Sequence, residues 1–253
     1  MNNGLYAAYL GMRARQRALD TTANNIANAS TAGFKADNLV YRTVEAEQRK
    51  ANAADAAMTP DADAPKVTPP GVLTSGTTDF SIGSMQQTNR ALDVALEGDG
   101  FLVVQTPRGE RYTRAGNMTL DANGQLTTHS GDVVVGTRGA ITVPPGEVTI
   151  AADGTVSVGN RTVDRLRLVR FDDPNLALVK EGGSLFASTT EAKPLEAAST
   201  RVHQGALETS NVNVITEMAT MMQTNREFES LQKSVSTMMN DLARKVSNEI
   251  GRI

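Results

Sequence analysis

The residues that could do chemistry in this chain of 253 are few. Its two histidines, His129 and His203, lie far apart, and the absence of cysteine removes thiolate ligands, disulfides and cysteine nucleophiles together. Acids stand beside glycines in GDGF (98–101), DANGQ (121–125) and ADGT (152–155), as they do in calcium and phosphate loops. None of these stretches has the EF-hand spacing, the P-loop lysine or a dinucleotide fingerprint. Asp-Gly and Asn-Gly also supply the backbone angles of tight hairpins, and all three stretches are read as turns. Asp121, Asp172 and Asp173 could in principle supply the facing carboxylates of a glycoside hydrolase, but sequence proximity does not place two acids at a defined separation. His129 in TTHSG and His203 in RVHQG occupy polar, glycine-bearing contexts typical of loops and strand ends. The expectation is therefore no catalytic residue, no metal and no cofactor.

What remains is amide chemistry. The stretch TTANNIANASTAGFKAD (21–37) places Asn24, Asn25 and Asn28, then Gly33 and Phe34, at the end of an amphipathic segment. Asparagine offers donors and an acceptor without net charge. It can be buried at a tight contact at far lower cost than an ion, provided its hydrogen bonds are met. The plainer reading makes each of these residues a cap or a solvent-facing side chain.

The element that must position them is a helix, because Leu5, Met12, Leu19 and Ile26 recur at every seventh residue, with Ala8, Tyr9 and Ala23 beside them. Gly33 is expected to close it. The far end repeats the pattern: Val214, Met221, Phe228, Val235 and Leu242 are spaced by seven, with Met218, Met239 and Val246 on adjoining positions. Asn225 and Gln232 fill the rest of that second row, where a polar residue can fix register. TSNVN (209–213) supplies cap residues, Asn211 and Asn213 among them, and a helix over 214–250 would be about 55 Å long. A narrow seam gains stability chiefly by burial against another helix, so each terminus needs a partner. Pairing the two ends leaves Met222, Leu231 and Met238 to bury against other chains. The alternative is that both rows belong to the core of one compact monomer.

Between the ends, 51–79 is rich in Ala, Pro, Asp and Thr and reads as a loop or extended linker, whereas 80–200 holds short Val/Ile/Leu runs split by Gly, Asp, Asn and Pro. Runs such as FLVVQ, DVVVG and VTIAADGTVSV, with turn pairs at Asn123-Gly124 and Asp153-Gly154, predict antiparallel hairpins. The fold class expected is α+β: long terminal helices pairing as a coiled-coil-like assembly domain, and a central antiparallel all-β domain. The boundaries expected are 1–44, a linker at 45–79, the β domain at 80–206, and 207–253. With 4% aromatic residues and no tryptophan, the core should rest on aliphatic side chains. A net charge of −3 without a concentrated basic field argues against nucleic acid as a partner. No apolar run approaches a membrane span, and the N-terminal arginines follow the apolar stretch, the reverse of a secretory signal.

These residues resemble a known family, the axial proteins of the bacterial flagellum, and within it the basal-body rod proteins. ANNIANASTAGFK (23–35) is similar to the N-terminal rod signature, and LETSNVNV with EMATMMQTNREFES (207–230) to the C-terminal one. Residues 92–136 resemble the β region shared by rod and hook proteins. The lead-in at 68–88 and DRLRLVRFDDP (164–174) look closer to the proximal than to the distal rod protein.

The resemblance implies a structural subunit without catalysis. Such a subunit is exported through the flagellar type III apparatus without a cleaved signal peptide and assembles helically in the periplasmic rod of the basal body. It implies rod subunits and copies of itself as partners, no membrane insertion, terminal helices forming an inner tube, and a β domain packed outside. Subunit packing is then expected at the two seams, at Asn24, Asn25, Asn28, Gly33 and Phe34, and at Asn211 and Asn213. Outside the family, a secreted β-rich enzyme or a binding module are the competing classes.

Overall fold

The computed structural model describes residues 2–43, 72–189, 195–197 and 199–250. The chain is α+β, with a helix at each end and an antiparallel β domain between them. Its described residues fall into two compact units, one drawn from 1–26, 37–77 and 214–253, the other from 27–36 and 78–213.

The β unit is built around a strand buried on both faces. Successive side chains of β5 (Phe101–Thr106) point to opposite sides, yet Phe101, Leu102, Val103 and Val104 are all buried. Phe101 and Val103 belong to one cluster, Leu102 and Val104 to another. β5 pairs with β6 (Gly109–Thr113), β9 (Val133–Gly136) and β14 (Leu168–Arg170), every pairing antiparallel. Among the described residues the sheet has ten strands, with β10 (Gly139–Ala140) beside β9 and β17 (Leu195–Glu196) beside β14, and it continues through β16 (Leu185–Ser188) to β15 (Leu178–Gly182) on one side. On the other it runs through β8 (Leu126–Thr128) to β7 (Met118–Leu120). β11 (Val148–Ile150), β12 (Thr155–Val158) and β13 (Arg161–Arg165) form a separate meander.

The first cluster is aliphatic, as expected. The second is not: Phe80, Phe101, Phe171 and Phe186, four of the chain's six phenylalanines, pack ring to ring at 5.2–6.1 Å, and Tyr112 joins them through Phe171 at 5.0 Å. A low overall aromatic content was thus a poor guide, because the rings are gathered on one face of one sheet.

Two short pairs complete this unit. β4 (Val94–Glu97) pairs with β18 (Arg201–Gln204), and β3 (Met85–Gln87) with β19 (Ala206–Glu208). The turn readings hold: Asp121 accepts from the backbone N–H groups of Asn123 (2.9 Å) and Gln125 (2.7 Å), and Gly124 and Gly154 have φ of 75° and 85°. Asp173 caps the four-residue helix α2 (Pro174–Ala177) by accepting from Asn175 N–H.

In the other unit, helix α1 spans Asn2–Ala27 and helix α3 spans Val214–Ile250, the latter starting where the seam begins. Residues 72–78, read as linker, instead form strand β2 (Val72–Thr78) against β1 (Asp37–Thr43). The remainder of that expected linker up to residue 71 lies outside the described residues.

Candidate functional site

The asparagines of 24–28 separate into three environments. Asn25 is 1% exposed. Its side chain bonds the backbone of Asp37 twice: Nδ2 donates to the carbonyl and Oδ1 accepts from the N–H, each at 3.0 Å. That amide therefore ties the end of α1 to the first residue of β1, and Nδ2 also reaches Glu217 Oε1 on α3 at 3.4 Å. Asn24 is exposed. Asn28 sits just past the helix, where its carbonyl accepts from Thr31 N–H and its Oδ1 from the Thr31 hydroxyl.

The contacts between α1 and α3 run antiparallel. Asn25 meets Glu217, Arg15 pairs with Glu227 at 3.0 Å, and a Cβ placed on Gly11 would lie 3.7 Å from Leu231. Among the described residues, Ala14, Thr22 and Thr224 are the other buried side chains on these helices. A recess of about 370 Å³ beside them is lined by threonines, amides and charged groups, including Thr21, Asn25, Gln223 and Glu227. It lacks the apolar lining typical of small-molecule sites.

These contacts combine an amide–carboxylate bond, an ion pair and a glycine beside a leucine, and at 100° per residue the seam positions lie roughly a quarter to a third of a turn from them. Leu5, Met12, Leu19, Ile26, Val214, Met221, Phe228 and Val235 are only partly buried, and Met218 and Met239 are each 49% exposed. The side chain of Leu242 lies outside the described residues.

A second constellation, in the β unit, was not anticipated. Gly33 does not close α1, which stops at Ala27; it has φ of 65° and presses against another backbone. An added Cβ would sit 2.4 Å from Ala115 N and from Arg114 C. Its N–H donates to Glu208 O at 2.8 Å. Phe34 is buried with the Lys180 ammonium 3.8 Å above its ring. Lys35 is fully buried, donating to Glu208 Oε1 (2.6 Å) and Ser81 O (2.5 Å).

The other oxygen of Glu208 accepts from Arg114 at 3.1 Å, while Gly83 N–H donates to the first at 3.0 Å. Arg114 also donates to Gly98 O and lies 5.3 Å from the Phe101 ring centre. Burial holds the Lys35 amine below the usual lysine range; Glu208 pulls it back up and Arg114 pushes it further down. Asn211 secures the neighbouring chain, accepting from Ala36 N–H and donating to Asp79 O, both at 2.8 Å. Asn213 is exposed. Lys35, Arg114 and Glu208 carried no sequence signal as a group, since only the fold brings them together.

The other candidates are accounted for locally. His203 pairs with Glu97 at 2.7 Å on the surface, and Asp172 pairs with Arg170. Among the described residues no group of His, Asp and Glu could hold a metal ion.

Three family models match in chain order. They are the flagella basal body rod protein at residues 5–35, the flagellar hook protein FlgE/F/G D1 domain at 95–158, and the flagellar basal body rod FlgEFG protein C-terminal at 203–249. Together they define an axial protein of the bacterial flagellum. The basal-body rod protein FlgF of Caulobacter vibrioides is 37% identical over the whole of both chains, and that of Escherichia coli K12 is 38% identical over 94% of this chain and 96% of its own. The rod protein FlgG of Borreliella burgdorferi is 32% identical, again over the whole of both. The chain belongs to the flagellar basal-body rod protein family: it is a structural component of the basal body and not an enzyme.

Proposed function

We propose that the protein is a proximal-rod subunit of the FlgF type that assembles helically through its terminal helices to build the periplasmic drive shaft. The carrying observation is apolar surface on α3: Met218 and Met239 are 49% exposed, Met238 52%, Met222 60% and Ile215 81%. Such a stripe gains free energy when a neighbouring helix removes it from water. Methionine side chains also adapt to neighbours that are not identical. In this reading both seams pack coiled-coil-like against rod subunits and copies of the same chain in an inner tube, with 80–206 outside. Asn24, Asn28 and Asn213 set register there by uncharged hydrogen bonding, and the chain arrives through the flagellar export apparatus.

Subtype is supported by the two FlgF relatives at 37% and 38% identity against 32% for the FlgG relative. The full-length FlgG match supports the distal rod as second reading. Expression in motility mutants lacking one or the other rod protein separates them. Swimming restored only in the proximal-rod mutant is expected; restoration only in the distal-rod mutant overturns the subtype, and rescue of neither, with the protein stable and exported, overturns the role.

A further inference from the structure

Lys35, Arg114 and Glu208 are too deeply buried to contact another subunit, with side chains 0%, 3% and 0% exposed. One carboxylate serves two cations. With Arg114 alone the site is balanced, so the β unit can hold Glu208 in place before Lys35 arrives. Lys35 has no such freedom: a buried ammonium needs its counter-ion, and Glu208 is its only ion-pair partner among the described residues. That partner lies 173 residues further along the chain. The same C-terminal stretch holds the backbone around Lys35, through Gly33 N–H to Glu208 O and Ala36 N–H to Asn211 Oδ1.

We propose that this network is a completion latch, in which residues 27–36 seat on the β unit only after β19 and residues 208–211 are in place. The segment leaving α1 and the segment entering α3 are then fixed together or not at all. A chain whose last β strand is missing or misplaced presents an unseated signature segment, and so is distinguishable from a finished subunit. The inference concerns one chain and does not depend on its position in the rod.

Hydrogen exchange with mass spectrometry on the full chain tests it. Glu208→Gln keeps the shape and the acceptor for Gly83 N–H but removes the charge. Exchange in peptides covering Gly33–Ala36 should rise at least tenfold, while peptides from β5 and β9 stay protected. Unchanged protection of 33–36 overturns the latch. So does a uniform loss across the β unit, which would make the network ordinary core. Lys35→Met alone leaves the Arg114–Glu208 pair intact, removes the ammonium that needs a counter-ion, and should keep 33–36 protected. Exchange of 33–36 raised in this single variant as much as in Glu208→Gln would overturn the dependence on charge matching.

Discussion

Gly33 is a position where one added carbon should be costly. Alanine there would combine a left-handed backbone with a Cβ inside contact distance of two backbone atoms. Gly33→Ala should destabilise the β unit by more than about 2 kcal/mol, read as a lower urea midpoint. Asp164 sets a second test. Burial alone would raise its carboxyl, but hydrogen bonds from Arg165 N–H, the Thr137 hydroxyl and Arg138 outweigh that and hold it below the ordinary 3.8. A depressed carboxyl contributes stability that is complete above 3.8 and is lost as pH falls through the lowered value. Asp164→Asn should therefore cost about 1–3 kcal/mol at neutral pH. It should also flatten the decline of stability below about pH 4, measured by denaturation across pH.

At the scale of elements, β5 carries the β unit because both its faces are covered. Phe186 on β16 is fully buried in the aromatic cluster on one of them. Phe186→Ala should cost about 3–5 kcal/mol, visible in the thermal unfolding of the β unit and leaving the helical signal below the transition unchanged. α3 presents the opposite case. Phe228 is only partly buried, so Phe228→Asp should leave the fold of the free chain intact. Rod incorporation should fail, because a charge would enter the proposed seam. Normal basal bodies and motility in a strain carrying that change would contradict the assembly reading. Val214 as the start of α3 was legible in sequence, because heptad spacing and cap residues coincide there. The end of α1 was not: Gly33 has the residue type of a helix stop, but its left-handed angle serves a close backbone approach six residues later.

At the scale of the whole molecule, the β unit has its own two cores, whereas the described apolar rows of α1 and α3 are only partly buried or exposed. Limited trypsin digestion of dilute protein should therefore trim the exposed Arg13, Arg17, Arg226 and Lys233 first and leave a resistant fragment covering most of 78–213. Equal resistance of both ends would mean that the seams are already satisfied in one chain. The order helix, β region, helix was determined by the sequence itself, because periods of seven and short strands separated by Gly and Asn are local patterns that need no partner to be recognised. Family membership was equally legible, since its signatures are contiguous. Tertiary structure alone decided which amide is buried, which face of α1 meets α3, and that Lys35, Arg114 and Glu208 share one carboxylate. Those outcomes depend on residues far apart in the chain and on the cost of burying charge, and neither is written in any single stretch.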